Sequence, residues 1–192
     1  MNKFLLLILF PLMGLAQFKS NDSGHLYYEK VFQVEGMQQK ELKDKAYEWI
    51  AITFQDADNA NKNTDNRIFT NKHLLVYQGL SGAQVEKKIN FSIIMHFLDG
   101  RYKLLISNLS TQNSPIADNG PLPYASWKEA FEKALENESK NLQKANRRLL
   151  RNKKKLRKIY SQGIQVQHLM VEDVKKEILA MAEDLAFYIQ KT

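Results

Sequence analysis

The chain has 192 residues, 26% of them charged, and a formal net charge of +7 at neutral pH. It contains no cysteine, which excludes disulfides, thiolate metal sites, a cysteine nucleophile and the lipid-bearing residue of a bacterial lipoprotein. The charge is uneven: ten of the 28 cations fall within residues 140–158 with no acid among them, so a mildly acidic body carries one basic segment.

Residues 1–16 have the layout of a secretory signal peptide. Lys3 supplies the positive start, residues 4–10 are apolar, and Gly14-Leu15-Ala16 offers small side chains at a cleavage site. Pro11 interrupts the apolar run, which falls short of the roughly 20 residues a membrane-spanning helix needs. The expectation is cleavage near Ala16 and export to the periplasm or beyond, with no transmembrane segment in the mature chain.

Residues 18–25 are polar and read as loose. Residues 26–34 (LYYEKVFQV) are rich in aromatic and β-branched side chains and read as a strand ended by Glu35-Gly36. Leu42, Ala46, Trp49, Ile50 and Phe54 then recur at helical spacing, which predicts an amphipathic helix. Residues 56–66 (DADNANKNTDN) are rich in turn-formers and read as a loop. Residues 67–70 and 73–78 read as two short strands.

Residues 89–97 alternate Ile89, Phe91, Ile93, Met95 and Phe97 with more polar positions, and Asp99-Gly100 turns the chain back through residues 102–109 (YKLLISNL). A two-residue turn sets the register. Leu98 opposes Arg101, Phe97 opposes Tyr102 and Met95 opposes Leu104 on the core side, while His96 opposes Lys103 on the other. By the same parity Ser92 faces water, so an aspartate there is expected to be tolerated.

Residues 110–125 hold three of the four prolines and read as a linker. Ser126 and Glu129 form a capping-box pattern that opens a helix. Leu135, Leu142, Leu149 and Leu156 follow at a spacing of seven, and Val171, Val174, Ile178, Met181, Leu185 and Tyr188 form a second seam. These predict an antiparallel helical hairpin turning at Ser161-Gln162-Gly163, its acidic second arm (Glu172, Asp173, Glu177, Glu183, Asp184) offsetting part of the basic first arm. The domain division read from this order is a signal peptide over 1–16, an α+β domain over 17–125 and a helical hairpin over 126–192.

Residues 26–110 resemble a family of secreted bacterial proteins described only as a domain of unknown function with a TATA-binding-protein-like (TBP-like) fold. The resemblance rests on the aromatic first strand ending in Val34-Glu35-Gly36, the helix containing Leu42, Tyr47 and Trp49, and the hairpin ending in Asp99-Gly100-Arg101-Tyr102. It implies an α+β fold with strand, helix and four strands in an antiparallel sheet, and helices on one face. It implies no activity, and it does not extend to the basic helical segment.

No catalytic template is matched. The chain lacks G-x-S-x-G, a P-loop and a dinucleotide fingerprint, and His25, His73, His96 and His168 lack metal-ligand spacing. Loop 56–65 is rich in Asp and Asn, but Asn61 and Arg67 stand where a calcium loop needs Gly and Glu. No cofactor or metal is expected.

Two surfaces are left as candidates. One is an anion-contact set of Arg147, Arg151, Lys154 and Lys158 on the basic helix, suited to anionic envelope lipid or glycan; export and the placement of the leucine repeats disfavour nucleic acid. The other is an apolar patch of Ile94, Leu105, Tyr27 and Tyr77 on the sheet face opposite the core, left open for a ligand or covered by the C-terminal helices. The reading is a non-enzymatic exported binding or envelope-associated protein. Its alternatives are an enzyme with an unrecognised site on the open sheet face and a coiled-coil structural protein that forms homodimers.

Overall fold

A computed structural model describes residues 17–55, 66–80, 83–112, 114–117, 122–136 and 149–191. The signal segment 1–16, loop 56–65 and Arg147 lie outside the described residues. The elements are β1 (Gln17–Ser20), β2 (Leu26–Gln33), α1 (Gln39–Phe54), β3 (Arg67–Leu80), β4 (Ala83–Leu98), β5 (Arg101–Ser110), α2 (Tyr124–Glu136) and α3 (Lys153–Gln190). The fold is α+β. Five antiparallel strands lie in the order β1-β2-β5-β4-β3.

The hairpin register follows from its turn. Gly100 takes a left-handed φ of 72°, and Leu98↔Arg101, Phe97↔Tyr102, Met95↔Leu104, His96↔Lys103 and Ile94↔Leu105 pair as the two-residue turn dictates. The turn is also fastened to α1. Asp99 Oδ1 accepts from the Gln39 backbone N–H at 2.8 Å, giving the helix the cap that Gln38 does not provide with its own side chain. The register holds to Ser92↔Ser107 and then shifts to Asn90↔Ser110, because Asn108 adopts a left-handed φ of 56° and forms a bulge.

That bulge overturns the expectation for Ser92. It is only 3% exposed, donating to Asn71 Oδ1 at 2.7 Å and accepting from Asn108 Nδ2 at 3.0 Å. An aspartate there would break this polar set.

Two further strand expectations are corrected. Residues 67–80 form one strand, not two, and the polar stretch between the expected pair is accommodated within it. Asn71 is bonded by Ser92, and Lys72 is 7% exposed with its ammonium 5.5 Å from the Phe54 ring centre. The polar start is not loose either. Gln17–Ser20 pairs with β2, sets Phe18 5.3 Å from the Tyr28 ring and places Lys19 Nζ 2.9 Å from Glu29. The order is therefore strand, strand, helix and three strands. An edge strand needs little more than backbone bonds and one aromatic anchor, which composition does not reveal.

One face of the sheet carries the core. Leu26, Tyr28, Phe32, Ile68, Phe91, Ile93, Met95, Phe97, Tyr102, Leu104 and Ile106 bury against Leu42, Ala46, Trp49 and Ile50 of α1 and Val171, Val174, Ile178, Leu185 and Ile189 of α3. Phe32 stacks on Tyr102 with ring centres 4.8 Å apart. Burial pushes the Tyr28 hydroxyl up to about 12 and raises that of Tyr102 too. Within the expected linker, Ile116 is buried, its N–H bonding Leu109 and its carbonyl accepting from Leu26.

The helical region differs most from expectation. Lys153–Gln190 is a single α-helix of 38 residues that runs through Ser161-Gln162-Gly163 without turning. Gly163 is helical, not left-handed, and one glycine costs a long helix only about 1 kcal/mol relative to alanine. Residues 137–148, and with them Leu142 of the expected first seam, lie outside the described residues. On the single helix α3, Leu156 and Val174 lie about 27 Å apart along one axis and cannot face each other as two seams. Helix α2 begins at Tyr124, so Ser126 lies in its first turn and is not its cap. Tyr124 and Trp127 of α2 each pack 5.2 Å from the Tyr160 ring of α3, whose hydroxyl donates to the Leu122 carbonyl.

Candidate functional site

The second face of the sheet takes no part in the core cluster. Strand pairing arranges its side chains in rows. One row is Val31, Lys103, His96 and Arg67; the next is Glu29, Leu105, Ile94 and Phe69; a third includes Tyr27, Ser107, Ser92 and Asn71. Of the expected apolar patch, Ile94 and Leu105 are direct partners and half-buried, and Tyr27 is half-buried one row away. Tyr77 sits in β3 opposite Glu86, and its side chain lies outside the described residues. Val31 is 40% and Leu75 43% exposed. Among the described residues, α1 and α3 both pack on the core face and do not cover this one.

A cleft of about 600 Å³ opens at one end of the face, lined by His25, Tyr27, Leu105, Ser107, Asn108 and Pro115, among others. Two patch residues thus belong to a concave wall shaped by the Asn108 bulge. Asn21 braces its rim, its side-chain oxygen accepting from the backbone N–H of Ser23 and of His25.

Charge on the open face is organised around Glu29. Its carboxylate pairs with Lys103 and with Lys19, and these hydrogen bonds hold it below the usual carboxylate range. Desolvation, with Arg67 and Lys103 beside it, pulls the His96 imidazole below its ordinary value. Among the described residues, the buried Arg67 Nε has no hydrogen-bond partner. Among the described residues, no group of three His, Asp or Glu is arranged to hold a metal ion.

The head of α3 is the second candidate. Arg151, Lys153, Lys154, Lys155, Arg157 and Lys158 are all exposed, while Leu156 between them is buried. Asn152 caps the helix, its side chain accepting from the Lys155 backbone N–H at 3.0 Å. Three lysines then crowd the positive end of the helix dipole, with no acid in the first turn. Arg157 lies over the Tyr124 ring at 5.7 Å. The acids expected to neutralise this segment are on the same helix. Glu172 lies 14 residues beyond Lys158, about 21 Å along the axis, well past the screening length of about 8 Å in physiological salt.

Residues 28–112 match the family model of a domain of unknown function (DUF4468) with a TBP-like fold. The α+β architecture expected from the resemblance is thus shown in its TBP-like form; α2 and α3 lie beyond the matched span. Two crystal structures are similar. A DUF4468 family protein from Bacteroides ovatus is 17% identical, with a TM-score of 0.39, over 49% of this chain and 58% of that one. A TBP-like protein from Parabacteroides distasonis is 16% identical, with a TM-score of 0.46, over 88% of this chain and 97% of that one. No curated protein matches the chain. No helix among the described residues is long and apolar enough to cross a membrane.

Sequence reasoning missed Arg67 and Phe69 as members of the open face. Their placement depends on the pairing Arg67↔His96. Once residues 67–80 are divided into two strands, no turn signal sets that register. The alternation Arg67, Phe69, Asn71 against Ile68, Thr70, Lys72 could have revealed it, had the buried lysine not masked the apolar side.

Proposed function

We propose that the protein is an exported, non-catalytic binding protein that associates with anionic envelope material, lipid phosphates or polyanionic glycans, through the head of α3. The observation that carries this reading is the exposed set Arg151, Lys153, Lys154, Lys155 and Lys158. None of these has an ion-pair partner among the described residues, and the acids on their own helix are too far along it to offset them. An array of this density gains free energy by releasing counterions from a polyanion, and it reads charge density instead of sequence. The sheet domain then serves as the body that holds this helix out, with its own open face free for a second ligand. Export rests on the layout of residues 1–16, and N-terminal sequencing of native protein beginning at Gln17 would support it.

The test compares wild type with a variant carrying Arg151, Lys154, Lys155 and Lys158 changed to Gln. Wild type should co-sediment with vesicles containing anionic lipid and not with zwitterionic ones, and the variant should lose most of that binding. Equal binding by the two proteins would remove the helix from the account.

A further inference from the structure

Lys103, His96 and Arg67 are register partners on three adjacent strands, β5, β4 and β3. With strands about 4.8 Å apart, the three basic groups span only about 10 Å. Two residues along the strands, about 7 Å away, the next row of the same face is Leu105, Ile94 and Phe69, all half-buried. We propose that this face binds a ligand with a phosphate group at one end and a short apolar chain at the other. The phosphate sits on Arg67, His96 and Lys103, and the chain lies along Phe69, Ile94 and Leu105.

The charges around the row are unbalanced. The single carboxylate of Glu29 serves both Lys103 and Lys19, so those three groups retain one positive charge. Arg67 has no acidic partner among the described residues, and its buried Nε donor is unsatisfied, a condition that buried polar groups rarely tolerate without a ligand or solvent. Asp99 is already engaged by the Gln39 N–H. The groups facing His96 are Arg67 from β3 and Lys103 from β5, with Arg101 beside Lys103 and only apolar Ile94 and Leu98 flanking it on its own strand. The two charged groups paired with His96 across the strands, Arg67 and Lys103, are both positive, with Glu29 one strand further on β2, and this agrees with the depressed imidazole. An oxyanion bridging Arg67 and Lys103 would reverse the local potential and favour imidazolium as a third donor. A phosphate fits better than a carboxylate because it has oxygens for a forked arginine contact and two further donors. Uptake of a proton by His96 makes binding tighten as pH falls through the imidazole titration.

The row of Leu105, Ile94 and Phe69 distinguishes an alkyl phosphate from free phosphate. It runs parallel to the cationic row and ends at Glu29, so a chain placed on it extends across the strands away from that carboxylate.

The experiment titrates the His96 ring resonances of the histidine-labelled full chain against inorganic phosphate, hexyl phosphate and sodium chloride at matched ionic strength. Phosphate should raise the His96 pKa by about one unit, and chloride should not. Hexyl phosphate should act at a concentration at least tenfold lower, an advantage that Phe69→Ala should remove without altering the response to inorganic phosphate. Arg67→Gln should weaken both ligands at least tenfold, whereas Lys88→Gln, on the strand of His96 but eight residues from it, should change neither. Equal responses to phosphate and chloride, or equal losses in Arg67→Gln and Lys88→Gln, would overturn the site. Equal affinity for inorganic and hexyl phosphate would overturn the placement of the chain. None of these variants touches α3, so either failure leaves the reading of the basic helix standing.

Discussion

Trp49 Nε1 donates a 2.7 Å hydrogen bond to Asp184 Oδ2, tying α1 to the C-terminal part of α3. A second link runs alongside it, from Lys45 Nζ to the Ile189 carbonyl at 3.3 Å. The long helix is therefore docked at its far end, where its apolar stripe shares the core of the sheet, while its basic head lies many turns away. Asp184→Ala should destabilise the fold by about 1.5–3 kcal/mol, the value of one hydrogen bond to a charged acceptor. Chemical denaturation of wild type, Asp184→Ala and Trp49→Phe would show a shared penalty, with the double variant little worse than either single one.

The two faces of the hairpin should respond differently to charge. Met95→Asp puts an unpaired carboxylate into the core and should cost about 3 kcal/mol or more. Leu98→Asp, 48% exposed at the turn, should cost less than about 0.5 kcal/mol. Ser92→Asp should resemble the core variant, because Ser92 is buried between Asn71 and Asn108. Melting temperatures of the three proteins check this order.

Continuity of α3 through Gly163 has two consequences. A Cβ built at Gly163 meets no atom within 4 Å, so Gly163→Ala should stabilise the protein by about 0.5–1 kcal/mol. Because the chain lacks native cysteine, spin labels can be placed at Lys154→Cys and Glu177→Cys without interference. They should be separated by about 34 Å on one helix, whereas a turn at Ser161-Gln162-Gly163 would bring them within about 20 Å.

The carboxylate of Glu29 gives an acid-side prediction. Its pKa is lowered from 4.5 in the folded protein by Lys103 and Lys19, so its contribution is fully present above the unfolded value and is lost as pH falls through the folded one. Glu29→Gln should be less stable than wild type near neutral pH by up to about 1 kcal/mol, since the pair is partly exposed. The gap should close as the pH is lowered below the carboxylate range, as read by thermal melts across an acid series.

The hairpin and α1 were legible because each is written in local chemistry. Asp99-Gly100 fixes a register by itself, and Leu42, Ala46, Trp49 and Ile50 need no partner to declare a helical face. The elements that were not legible depend on distant partners. Gln17–Ser20 is a strand because β2 offers an edge; residues 67–80 stay continuous because Phe54 and Ser92 accommodate Lys72 and Asn71. Gly163 looked like a stop because glycine is a strong local punctuator, yet docking of Val171 to Ile189 on the sheet stabilises the helix on its far side. The cationic row escaped for the same reason: Arg67, His96 and Lys103 are far apart in sequence and meet only through two strand registers.

The central claim is that the head of α3 binds polyanions through uncompensated charge, and the salt dependence of vesicle binding tests it most directly. Affinity of wild type for vesicles of fixed anionic content should fall linearly as salt rises on a log–log plot. The slope should become shallower in the variant with Arg151, Lys154, Lys155 and Lys158 changed to Gln. Binding that is absent at low salt, or a slope identical in the two proteins, would contradict the claim.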